Sequence, residues 1–90
     1  MYLRKVKGPR AVTLPGGRVM TRADLPPADT RRWVASRKAA VVLAVRHGLI
    51  DEAEAIATWA LSAEELAEWI AAAERGGERA LRATARNKRN

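Results

Sequence analysis

The chain has no cysteine and no phenylalanine, one histidine, one tyrosine and no long uninterrupted apolar run. Without cysteine there is no disulfide and no thiolate chemistry, and the mark of an oxidising compartment is missing. His47 has no second imidazole or thiolate with which to share a metal, and no evident serine to activate as a nucleophile. It is read as a helix-terminal residue that suits the helix dipole. Gly16-Gly17 and Gly76-Gly77 are too short and isolated to cradle a phosphate. No stretch approaches the roughly 20 apolar residues that a membrane-spanning helix needs. The basic opening, Met1 to Arg10, is followed by no signal-peptide core. These absences point to a soluble, cytoplasmic protein that is not an enzyme, with no cofactor, metal site, membrane association or small-molecule substrate.

What is present is enough for one small domain. Ninety residues bury only about 60% of the unfolded chain's surface. The apolar fraction of 48% overstates the core because much of it is alanine, so Trp33, Trp59 and Trp69 are the expected packing centre. The net charge of +7 implies an anionic partner, commonly nucleic acid. Its distribution qualifies that inference. Residues 1–48 carry a net of +9, residues 49–77 a net of −6 and residues 78–90 a net of +4.

Local patterns predict a mainly α fold preceded by a short β-hairpin. Residues 1–9 read as a loose arm. Residues 10–20 read as the hairpin, Ala11–Leu14 and Arg18–Met20 joined by Pro15-Gly16-Gly17. Thr21 to Asp24 fits a single turn, and Pro26-Pro27 enforces an extended link. Residues 30–85 form the expected helical bundle. Its first helix runs from Arg31 to His47, capped by Asp29 or Thr30 and stopped by Gly48, with Val34, Val41 and Val45 along one side. Leu49 and Ile50 then return to the core. Asp51 caps a second helix, Glu52 to Trp59. Ser62 and Glu65 make a capping box for a third, from about Ala63 to Arg75, with Leu66, Trp69, Ile70 and Ala73 as its buried stripe. Gly76-Gly77 ends it, a short fourth helix spans Glu78 to about Ala85, and residues 86–90 are a basic tail.

Two features carry function. Residues 51–75 read as a helix-turn-helix within a small bundle of Trp-repressor or homeodomain-like kind, with Ala55 at the close approach and Leu61 pinning the turn. An ordinary αα-hairpin is the alternative. The exposed side of the third helix would then be the reading surface, formed by Ala63, Glu64, Glu65, Ala67 and Glu68. It offers no Arg, Lys, Asn or Gln for bidentate contacts to guanine or adenine, so it suits docking on a basic protein at least as well as on DNA. The second feature is the stretch Thr21 to Lys38. Arg22, Arg31, Arg32, Arg37 and Lys38 make a candidate partner-binding face for an acidic protein patch or phosphates. The alternative is a solvated face whose arginines pair with the acidic middle segment.

The run TRADLPPADTRRWVASRK at Thr21–Lys38, followed by HGLI at His47–Ile50 and ALSAEE at Ala60–Glu65, resembles the small CtrA inhibitory protein (SciP) family of alphaproteobacteria. The likeness extends over nearly the whole chain, with departures at Gly17, Trp59 and Gly76. The resemblance implies a cell-cycle transcription regulator that binds the response regulator CtrA and blocks activation of its target promoters. A direct, sequence-specific DNA-binding repressor with promoter DNA as partner is the second reading, and a general nucleic-acid-associated basic protein the third.

Overall fold

The computed structural model describes residues 11–82 and Thr84. The expected arm at 1–9 and the basic tail at 86–90 lie outside the described residues, while the fourth helix expected from Glu78 to about Ala85 stops at Leu81, with Arg82 in a turn and Thr84 in a bend. The fold is three helices preceded by a two-stranded antiparallel hairpin. Strands β1 (Ala11–Thr13) and β2 (Val19–Thr21) pair with Val12 opposite Met20. Gly16 and Gly17 take φ of +98° and +94° in the turn, a region closed to most side chains. The Leu14 amide donates to the Arg18 carbonyl at 2.7 Å and closes the loop. Leu14 and Met20 are buried, which gives the ribbon the support that two strands alone lack. Thr21 and Asp24 cap each other's backbone around one 3₁₀ turn, Arg22–Asp24.

Helix α1 (Ala35–Arg46) begins four residues later than the sequence predicts. Thr30 is not its cap, because Thr30 Oγ1 donates to the Pro27 carbonyl at 2.6 Å. The reason is Trp33. In a helix begun at Arg31 it would share a face with Arg37, four residues on, and Arg37 is exposed. An extended Val34 (φ −86°, ψ 165°) lets Trp33 turn inward while α1 presents other residues to the core. Val34 is therefore 40% exposed and does not join Val41 in the core. At the other end Gly48 (φ +84°) sits in a Schellman turn, with Leu49 N donating to Ala44 O at 2.8 Å and Gly48 N to Val45 O at 3.3 Å. Leu49 and Ile50 are buried just beyond it.

Helix α2 (Glu52–Trp59) and helix α3 (Ala63–Leu81) have the predicted starts. Asp51 accepts from Glu54 N at 2.8 Å, and Ser62 and Glu65 exchange bonds of 2.9 and 3.0 Å. Leu66, Trp69 and Ala72 bury one side of α3, which packs chiefly on α1. The expected break at Gly76-Gly77 is present as a kink, with non-helical backbone at both glycines and helical geometry resuming to Leu81.

Candidate functional site

Residues 26–34 form a strap across the tryptophan core. Trp59 Nε1 donates to the Pro26 and Pro27 carbonyls at 3.2 and 3.1 Å and fixes one end. Trp33 fixes the other, edge-on to Trp59 with ring centroids 6.2 Å apart and tilted against Trp69 at 5.2 Å, both favourable aromatic geometries. Between these anchors Arg31 and Arg32 face solvent. Arg37, on the first turn of α1, donates from Nη1 to the Arg32 carbonyl at 3.1 Å and ties the helix back to the strap. Exposed Val34 lies among these arginines in the sequence. Among the described residues, no carboxylate pairs with Arg31, Arg32 or Arg37.

The other two cations of the candidate face are used inside the fold. Arg22 Nη1 meets Glu54 Oε2 at 2.6 Å, while Nη2 donates to Glu54 Oε1 at 3.3 Å and to the Leu49 carbonyl at 3.2 Å. The hydrogen bond to Glu54 raises the Arg22 pKa above its ordinary value, against a smaller opposing effect of burial. Lys38 is 3% exposed, with its ammonium 5.5 Å from the Trp69 ring centre. The structure thus divides the five residues into three that face outward and two that do not. A signal for Lys38 was present in the sequence: Lys38, Val41, Val42 and Val45 follow the i, i+3, i+4, i+7 spacing of a buried stripe.

The helix-turn-helix surface is acidic and small. Three residues, Ala60 to Ser62, join α2 to α3, with Leu61 buried and Ala55 fully enclosed. Ala60 takes the left-handed conformation (φ +54°) that glycine normally supplies at a helix end. Ala63, Glu64, Ala67 and Glu68 are exposed, continued by Ala71 and Glu74. Glu65 is half-buried and accepts from the Ser62 amide, so it belongs to the cap more than to the face. Nothing on this face donates a bidentate hydrogen bond to a base edge.

The profile of a family described as "Protein of unknown function (DUF1153)" matches residues 4–89. The chain belongs to the DUF1153 family. Its fold is similar to the solution NMR structure of a Rhodobacter sphaeroides protein, at 64% identity over 93% of this chain and 88% of that one, with a TM-score of 0.73. A second structural-genomics target solved by NMR is 62% identical over 90% of this chain and 85% of that one, with a TM-score of 0.55. No curated protein matches the chain. Among the described residues of this DUF1153 chain, no helix is long and apolar enough to cross a membrane.

Proposed function

We propose that this DUF1153 chain is a non-enzymatic transcription inhibitor that docks on a CtrA-like response regulator, as its SciP-like motifs imply, and blocks activation of that regulator's promoters. It would act in the cytoplasm and reach the nucleoid through that partner. The observation that carries the reading is the arginine strap. Two guanidinium groups, of Arg31 and Arg32, stand on a segment locked by two tryptophans, and a third, of Arg37, is tied to it from α1, without a carboxylate from the described residues to neutralise them. A pre-ordered charged surface binds without first losing its own freedom. Exposed Val34 among the arginines adds an apolar contact, which suits a protein surface better than bare phosphates. The exposed glutamates of α3 oppose an approach to the DNA backbone by the usual reading helix, while they complement a basic DNA-binding domain.

The test is titration of the protein against a labelled CtrA-site promoter fragment, with and without purified response regulator, at near-physiological salt. Saturable binding that requires the regulator is expected. Tight, sequence-dependent binding to bare DNA would overturn the reading in favour of a direct DNA-binding repressor, which the net charge of +7 favours. A steep fall with salt and no sequence preference would instead mark a general polyanion binder.

A further inference from the structure

The last carbonyls of a helix lack intrahelical donors and are ordinarily satisfied by water or a cap. At the end of α3 the donor comes from the first turn of another helix. Lys38 Nζ donates to the Leu81 carbonyl at 3.3 Å, the Thr84 carbonyl at 3.2 Å and Thr84 Oγ1 at 2.6 Å. Thr84 Oγ1 in turn donates to the Leu81 carbonyl at 2.8 Å. One buried ammonium therefore ties both Leu81 and Thr84 to the first turn of α1.

Seven residues upstream of Thr84, the backbone is broken. Gly76 (φ −149°, ψ 16°) and Gly77 (φ +67°, ψ −153°) leave the helical path, and the Gly77 conformation is open essentially to glycine alone. The single helical turn that follows is too short to persist by itself. Glu78 and Arg79 face solvent, so the inward attachments of the described residues are Leu81, fully buried, half-buried Ala80 and the Lys38 bonds. Beside this turn lies a cleft of about 300 Å³ lined by apolar side chains of α1 and α3, Val42, Leu43, Ala73 and Leu81 among them, together with Arg46 and Glu78. The segment has a two-glycine hinge at one end, a polar clasp at the other and a largely apolar cleft alongside.

We propose that residues 78–82 and Thr84 belong to a latch, hinged at Gly76-Gly77 and held shut by Lys38, whose opening withdraws Leu81 and widens the cleft between α1 and α3. Lys38 is then a positioning residue for the latch, which moves as a unit separate from the three-helix body. The inference stands independently of the transcriptional reading.

Hydrogen exchange on the full chain tests it, comparing the parent with Lys38→Met, which keeps an unbranched stem and removes every donor. The Arg82 and Thr84 amides, which donate to Arg79 and Leu81 carbonyls, should exchange about tenfold faster or more. Amides in the middle of α1 and α3 should change by less than about twofold. An apolar dye should bind the variant more strongly while its near-ultraviolet circular dichroism is retained. Equal acceleration throughout the chain would make Lys38 an ordinary part of the global core and overturn the latch, as would unchanged exchange at Arg82. Should Lys38→Met fail to fold, Thr84→Val removes the bond that the Thr84 hydroxyl accepts from Lys38 and the one it donates to the Leu81 carbonyl. It should speed exchange at Arg82 by about threefold, and no local change there would equally reject the proposal.

Discussion

Arg22 and Arg32 belong to one basic stretch and meet opposite fates. Arg22 lies against Glu54 and the Leu49 carbonyl, and its charge is absorbed by the fold. Arg32 projects from the strap, and among the described residues its one contact of this kind is the bond its backbone carbonyl accepts from Arg37. Lys38 sides with Arg22, although it stands next to Arg37 in the sequence. The difference teaches that charge along a chain counts cations, not their availability. Of the five cations from Arg22 to Lys38, three face solvent and two are taken up by the fold, so the net charge of the stretch overstates what it presents outward.

The comparison breaks most severely at Trp69, which supports both groups by packing at a tilt against Trp33 and lying under Lys38. Trp69→Ala is expected to cost about 3–5 kcal/mol, enough in so small a domain to abolish a cooperative thermal transition. A cooperative melt near the parent temperature would show that strap and clasp stand without it. Arg32→Ala combined with Arg37→Ala sharpens the outward side. Affinity for the response regulator should fall about tenfold or more, with stability changed by no more than about 0.5 kcal/mol. Calorimetric titration and a melt on one sample read both, and undiminished affinity in the folded double variant would remove the strap from the interface.

Arg22→Ala sharpens the inward side. Its half-exposed ion pair should be worth at most about 1 kcal/mol, with no loss of affinity for the regulator. Because its folded-state pKa is raised by Glu54, this contribution is complete below the unfolded arginine's pKa and is lost only as pH rises past the folded one. Melts at about pH 7 and about pH 9 should therefore show the same penalty for Arg22→Ala. A penalty that vanished by the higher pH would contradict the pairing. The smallest effect expected is at Ala60, where relief of left-handed strain outweighs the added freedom of the unfolded chain. Ala60→Gly should raise stability by up to about 1 kcal/mol, and a loss on denaturant melting would show that no such strain exists.

The parts legible in the sequence are those decided within a few residues. Asp51, Ser62 and Glu65 bracket α2 and start α3 through bonds spanning three positions, and Gly48 ends α1 in the same local way. The strap was not legible. Asp29 and Thr30 resemble helix caps, and only the distant indoles of Trp59 and Trp69 explain why the helix waits for Ala35. The fate of the five cations was harder still. Arg22 finds its carboxylate on α2, and Lys38 finds its oxygens at the far end of α3. The outward arginines are known as such only by what fails to lie near them.

The indole cluster has an optical consequence. Rings as close as Trp33 and Trp69, 5.2 Å between centroids, with Trp59 set edge-on to Trp33, are near enough for their electronic transitions to couple. The near-ultraviolet circular dichroism of the group should therefore depend on the seating of Trp33. On the proposed docking, a partner that grips Arg31 and Arg32 would pull on the segment that carries Trp33, and occupancy of the strap would then be readable in solution without a label.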